Sequence, residues 1–244
     1  MSQQPFQFKK FKVHQDRCAM KVGTDGVLLG AWSSIEHEPK SILDIGAGTG
    51  VIALQLAQRS SASTIDAIEI DDQAHEQCTH NFENSDWADR LFCYHASVQE
   101  FASEMEHKYD LIVSNPPFFK APKSIDAQTQ NTSQERAVAR FTDTLPFKHL
   151  VVCAAHLLSQ NGVFCTILPH KEADSFIEIA AQNKLFISKI CTIRGIKTSK
   201  IKRCMLAFSL HQSKPKTQEL TIEVSRHNYT QDYKNLVRDF YVKM

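Results

Sequence analysis

The sequence predicts an α/β fold, a mostly parallel sheet flanked by helices. Two observations carry this. From residue 41 onward, short β-branched or apolar runs alternate with helix-compatible stretches, as in strands joined by crossover helices. A glycine-rich turn then joins the first of those strands to the first helix. With 244 residues, 42% of them hydrophobic and 23% charged, the chain can bury a sizeable core.

Seven strands are predicted: 41–46 (SILDIG), 64–70 (TIDAIEI), 91–95 (LFCYH), 109–114 (YDLIVS), 162–168 (GVFCTIL), and two near 186–194 and 203–210. Helices are predicted near 50–58, 72–84, 97–105, 145–159 and 171–182, with right-handed crossovers. Residues 1–40 contain HQDRCAMKVGTDGVLLGAW, whose VLLGAW end suits a short helix, and read as a cap over the main domain, 41–244. From Asn115 to Asp143 no period is visible; the stretch is polar, holds three prolines, and has the length of a functional loop. The tail should end in a helix whose Tyr233, Leu236, Val237, Phe240 and Tyr241 stripe packs on the core.

No run approaches the roughly 18 apolar residues of a membrane span, and MSQQPFQFKKFK lacks the apolar centre of a signal peptide, so a cytoplasmic protein is expected. Seven cysteines without a C-x-x-C pair predict free, mostly buried thiols. His14 and His170 have no second ligand at usable spacing, so no metal is expected. Charge is uneven. From Ile179 to Gln218 there are nine basic residues and no acid; subtracting those nine from the net +1 leaves −8 elsewhere. Such segregation suits a polyanionic partner.

Asp44-Ile-Gly-Ala-Gly-Thr-Gly50 follows a strand and opens a helix. Glycines alone also serve tight turns and close packing. Here Gly46, Gly48 and Gly50 form G-x-G-x-G, not the G-x-G-x-x-G of a dinucleotide pyrophosphate site, which argues against an NAD-dependent oxidoreductase. A carboxylate at Asp44 would repel pyrophosphate but suits the ammonium of S-adenosylmethionine, directly or through water. Glu69, ending the second strand 25 residues later, is placed to accept both ribose hydroxyls of an adenosine.

Ser114-Asn115-Pro116-Pro117-Phe118 follows the fourth strand, next to the first in the expected order and so near the methyl donor. Two prolines after a strand ordinarily just end it. An aromatic amine, however, has its lone pair conjugated into the ring, and methylating it requires that pair to be localised. The Asn115 side-chain oxygen and the Pro116 carbonyl supply two acceptors for the amine hydrogens, Pro117 helps fix the backbone, and Phe118 offers a face for a base flipped from its stack. No strong general base is required. The pattern serves adenine N6, cytosine N4 and glutamine amides alike, so it specifies the amine and not the molecule.

VHQDRCAMKVGTDGVLLGAW, ILDIGAGTGVIAL, SNPPFF and the terminal YTQDY and RDFYVKM together resemble the bacterial tRNA (adenine-N6)-methyltransferases that modify adenosine 37 of one valine tRNA. The resemblance spans nearly the whole chain. It implies a Rossmann-like class I methyltransferase fold and a tRNA substrate; a monomer without a membrane partner is expected. It implies that Lys21, Gly23, Thr24 and Asp25 lie over the cofactor, and it puts Ser97 where an acid usually bonds the adenine amine. A serine accepts that bond more weakly, leaving the backbone of Ala96 or Val98 as an alternative contact. Phosphate-contacting residues are then Arg194, Lys197, Lys200, Lys202 and Arg203 between the two late strands, with Lys120, Lys123, Arg136 and Arg140 of the long loop. Rival readings are an N6-adenine methyltransferase of DNA or ribosomal RNA, a protein-glutamine methyltransferase, and a catalytically silent RNA-binding protein of the same fold.

Overall fold

The computed structural model describes residues 4–117 and 146–243. The chain opens with a short antiparallel pair, β1 (Phe6–Gln7) and β2 (Lys12–Val13), followed by α1 (Thr24–Trp32). The first half of the sheet is β3 (Ser41–Ile45), β4 (Thr64–Glu69), β5 (Leu91–His95) and β6 (Tyr109–Ser114), alternating with α2 (Val51–Arg59), α3 (Asp72–Glu83) and α4 (Val98–Glu104). The second half is α5 (Phe147–Leu157), β7 (Leu158–Pro169), α6 (Ala173–Gln182), β8 (Phe186–Ile196), β9 (Arg203–Ser209), β10 (Lys216–Ser225), β11 (Asn228–Tyr229) and α7 (Gln231–Val237).

These strands form one sheet in the order β11-β10-β8-β9-β7-β6-β3-β4-β5. The pairs β5–β4–β3–β6–β7 are all parallel, as is β8–β10; β9 runs against its neighbours β7 and β8, and β11 against β10. All five residues of β3 are buried, the signature of a parallel strand covered on both faces. One apolar cluster joins α1, α2, α3 and α7 through Leu28, Leu56, Phe82 and Val237. The other joins α4, α5 and α6 through Phe101, Leu150 and Phe176, giving three layers.

The seven predicted strands are present, and the sheet carries two more. Lys216–Ser225 alternates polar and apolar residues and buries only Leu220, so it pairs at the sheet's margin without the continuous apolar run that marked the inner strands. The helix predicted at 171–182 divides into a 3₁₀ turn at His170–Glu172 and α6. Among the described residues no helix is long and apolar enough to cross a membrane.

From β3 the chain runs outward to β4 and β5 on one side and then crosses back to β6 on the other, so a crevice opens beyond the carboxyl ends of β3 and β6. The amino-terminal segment is tied down beside it. Asn81 of α3, fully buried, accepts from the His14 N–H (2.9 Å) and donates to the carbonyls of His14 and Thr49 (both 2.9 Å). Gln77, one turn earlier, accepts from the Arg17 N–H (3.1 Å). The chain ends also meet: the Lys9 N–H donates to the Phe240 carbonyl (2.8 Å) and the rings of Phe8 and Tyr241 stack at 5.8 Å.

Candidate active site

The glycine turn is shaped by backbone conformations that side chains resist. Gly46, Gly48 and Gly50 have φ of 73°, 56° and 76°. At Gly50 a β-carbon would stand 2.6 Å from Phe82 and 2.8 Å from Cys78, so close packing demands glycine; at Gly48 it would meet nothing within 4 Å, so the turn faces open space. The N–H groups of Gly46 and Ala47 donate to the Ile68 carbonyl (2.9 and 3.1 Å), fixing the turn against β4.

Behind the turn lie two carboxylates. Glu69 accepts from the N–H groups of Gly48 (2.8 Å), Ile70 (2.9 Å) and Asp71 (3.0 Å), which orient it at the end of β4 with lone pairs to spare. Asp44 has no exposed surface. Its Oδ2 accepts from the Ala53 N–H (3.2 Å) at the start of α2, while Oδ1 is buried without a protein partner. Burial, with a smaller contribution from neighbouring Glu69, pushes Asp44 up to about 7, although the Ala53 bond acts in the opposite direction. A buried carboxyl with one unmet acceptor fits a site for a cationic group.

Asn115 stands at the end of β6. The Ser114 hydroxyl before it donates to the Ile45 carbonyl (2.9 Å) and locks β6 to β3. Pro116 is buried and Pro117 exposed. The Asn115 Oδ1 is buried and has no hydrogen-bond partner among the described residues, an acceptor held ready. Phe118, Lys120, Lys123, Arg136 and Arg140 lie outside the described residues.

A cleft of about 390 Å³ joins these parts, a size typical of small-molecule sites. Lys21, Gly23, Thr24 and Asp25 of the cap form one wall, Gly46 and Gly48 the floor, and Asn115, Pro117 and Arg203 the far side. Met20 and Val22 also line it and were not singled out from sequence, having no chemistry to mark them. Asp44, Glu69 and Ser97 do not line this cleft. A second cavity, of about 440 Å³, lies beside Lys9, Arg59 and Asp239. Two of its cations serve the fold: Lys9 donates to the Arg238 carbonyl, and Arg59 to those of Gly30 (2.6 Å) and Ser33 (2.9 Å).

Three predicted site residues have evident structural work. Ser97 caps α4: its hydroxyl accepts from the Glu100 N–H (3.2 Å) and donates to the Glu100 carboxylate (2.7 Å), which in turn accepts from the Ser97 N–H (3.0 Å). This capping box was readable as S-x-x-E. Arg194 pairs with Glu219 on β10 (2.8 Å) and donates to the carbonyls of Lys197 (3.2 Å) and Ser199 (3.3 Å), bracing the β8–β9 turn. Arg203 pairs with Asp25 through Nε (2.8 Å). Lys197, Lys200 and Lys202 are exposed on the β8–β9 turn. Because β8 runs parallel to β7 and β6, that turn sits at the same edge of the sheet as Asn115. His14 meets the His80 ring edge-on at 5.1 Å, and the His170 N–H donates to the Lys202 carbonyl (3.1 Å).

Comparison with known proteins agrees with this architecture. Residues 26–172 match the family model described as methyltransferase small domain. The chain is 54% identical to the tRNA1(Val) (adenine(37)-N6)-methyltransferase of Christiangramia forsetii, with all of both chains covered. The enzyme of that name from Flavobacterium psychrophilum is 53% identical over 98% of this chain and 100% of the relative, and that of Yersinia enterocolitica 40% over 97% and 92%. Among solved structures, a predicted O-methyltransferase from Agrobacterium tumefaciens superposes with a TM-score of 0.67 at 16% identity, covering 88% of this chain and 96% of its own. A ribosomal protein L11 methylase from Lactobacillus delbrueckii gives 0.52 at 15%, covering 77% and 78%; likenesses this remote speak for the fold alone. The full-length similarity to curated relatives, on a class I fold whose cofactor is S-adenosylmethionine, shows that the chain belongs to the tRNA1(Val) (adenine(37)-N6)-methyltransferase family.

Proposed function

We infer that the protein transfers the methyl group of S-adenosylmethionine to the exocyclic N6 amine of adenosine 37, beside the anticodon of a valine tRNA, acting as a cytoplasmic monomer. One observation carries the chemistry: the buried, unpartnered Oδ1 of Asn115 at the crevice where the glycine turn and the cap converge. The names of the full-length relatives support the substrate. S-adenosylmethionine supplies an electrophilic methyl on a sulfonium. Asn115 accepts one amine hydrogen and the Pro116 carbonyl the other, which localises the nitrogen lone pair; both acceptors are preorganised by the Ser114–Ile45 bond and the two prolines. Phe118 stacks on the flipped base, a role that rests on its sequence position.

Glu69, oriented by three N–H groups, accepts the ribose hydroxyls, and Asp44 neutralises the cofactor's ammonium from beneath the turn. Lys197, Lys200 and Lys202 meet the RNA backbone at the cleft edge, joined by the basic residues of the 118–145 segment. The test is transfer of labelled methyl to total tRNA, ribosomal RNA and duplex DNA from a strain lacking the gene, followed by nucleoside mass analysis. N6-methyladenosine in tRNA alone is expected; label in DNA or ribosomal RNA in its place overturns the reading.

A further inference from the structure

Asp25 lies in the first turn of α1 and Arg203 begins β9, 178 residues apart in sequence, yet the Arg203 Nε donates to Asp25 Oδ2 at 2.8 Å and both residues line the cofactor cleft. They are about one-third exposed, 29% for Asp25 and 37% for Arg203. Asp25 is the only acid among the described residues lining the cleft; Lys21 and Arg203 are the cations. A site for a sulfonium therefore has a guanidinium on its wall, with Asp25 as its counter-charge. Beyond Asp25, the Arg203 Nη1 donates to the Lys202 carbonyl (3.2 Å), so the guanidinium is braced from its own strand as well.

We propose that the Asp25–Arg203 pair is a specificity device of the cleft: Arg203 positions Asp25 and the first turn of the cap helix, and Asp25 cancels the guanidinium so that a cationic cofactor is accepted beside it. This assigns Arg203 to the cofactor side in place of the RNA-phosphate contact its sequence position suggested. It also gives the pair a selective effect. S-adenosylmethionine carries a positive sulfur and its demethylated product, S-adenosylhomocysteine, a neutral one, so an unbalanced charge on the wall alters affinity for the first more than for the second. Balanced in this way, the pair keeps the wall from penalising the sulfonium cofactor relative to its neutral product.

The proposal rests on the cofactor reading, and binding measurements separate the two. Dissociation constants for S-adenosylmethionine and S-adenosylhomocysteine are measured by calorimetry, without RNA, for the parent, Asp25→Asn, Arg203→Gln and the double variant. Asp25→Asn should lose affinity for the sulfonium cofactor roughly threefold to tenfold beyond its loss for the product, as expected of a partly screened charge. Arg203→Gln should shift the ratio the opposite way, and the double variant should return toward the parent. Equal ratios in all four proteins, or single-variant shifts of the same sign, overturn the proposal. A parent that binds neither ligand overturns the cofactor reading itself. Because the two single variants predict shifts of opposite sign, one that failed to fold would leave the other decisive.

Discussion

Asn115 and Asp44 both bury an oxygen without a partner, and the two do different things with it. An unmet acceptor costs folding energy unless something later occupies it, and on the proposed function the occupant at Asn115 is a substrate hydrogen. Asn115→Ala should therefore cut methyl transfer by at least about 100-fold while cofactor affinity stays within about twofold, read by single-turnover kinetics and calorimetry. Equal losses in both would make Asn115 a cofactor ligand only. At Asp44 the orphan oxygen belongs to an acid raised to about 7. A carboxyl that holds its proton more tightly folded than unfolded stabilises the fold fully below the unfolded pKa, near 4, and that contribution is lost as pH rises through about 7. Melting of the ligand-free protein should show the parent losing ground to Asp44→Asn between pH 5 and pH 8; a pH-independent difference would contradict this origin. The glycines separate in the same manner. Gly50→Ala meets Phe82 and Cys78 and should lower Tm by several degrees, whereas Gly48→Ala, which points a methyl into open space at φ 56°, should cost less stability and weaken cofactor binding more.

Elements divide into those that announce themselves in sequence and those fixed by distant partners. β3, β4 and β6 are legible because buried parallel strands read as apolar runs, and the glycine turn and the Asn-Pro-Pro segment sit at their ends. β10 is not, because its single buried residue, Leu220, leaves only a polar alternation continuous with the tail. The roles of Arg194 and Arg203 are equally hidden, since Glu219 and Asp25 lie 25 and 178 residues away. The Ser97 capping box, by contrast, is local and readable as S-x-x-E. On the β8–β9 turn Lys197, Lys200 and Lys202 are exposed, and we propose that they face the RNA. Replacing all three by alanine should weaken tRNA binding and flatten its dependence on log salt by about 0.7 to 0.9 per lost phosphate contact, with cofactor affinity unchanged. An unaltered salt slope would move the RNA surface elsewhere.

On the scale of the molecule, the carboxyl-terminal 30 residues do two jobs in one pass. β10 pairs with β8 over residues 216–223, and α7 returns to bury Tyr233 and Val237 against the core that holds the cap helix. Trp32 at the end of α1 donates to Gln218 of β10 (3.3 Å), and the Lys189 ammonium lies 4.6 Å from the Trp32 ring centre. A chain stopped before Lys216 should accordingly lose cofactor affinity as well as stability, measured by calorimetry and melting. It would also uncover β8 from Lys189 to Ile196, whose unpaired N–H and C=O groups are a template for any extended strand. In the intact chain the margin is finished by β11, only two residues long and offset from β10 by an irregular register between Glu223 and Ser225. That ragged hem gives a second molecule almost nothing to stitch onto, so the strand that extends the sheet also keeps this margin of it from growing into an aggregate.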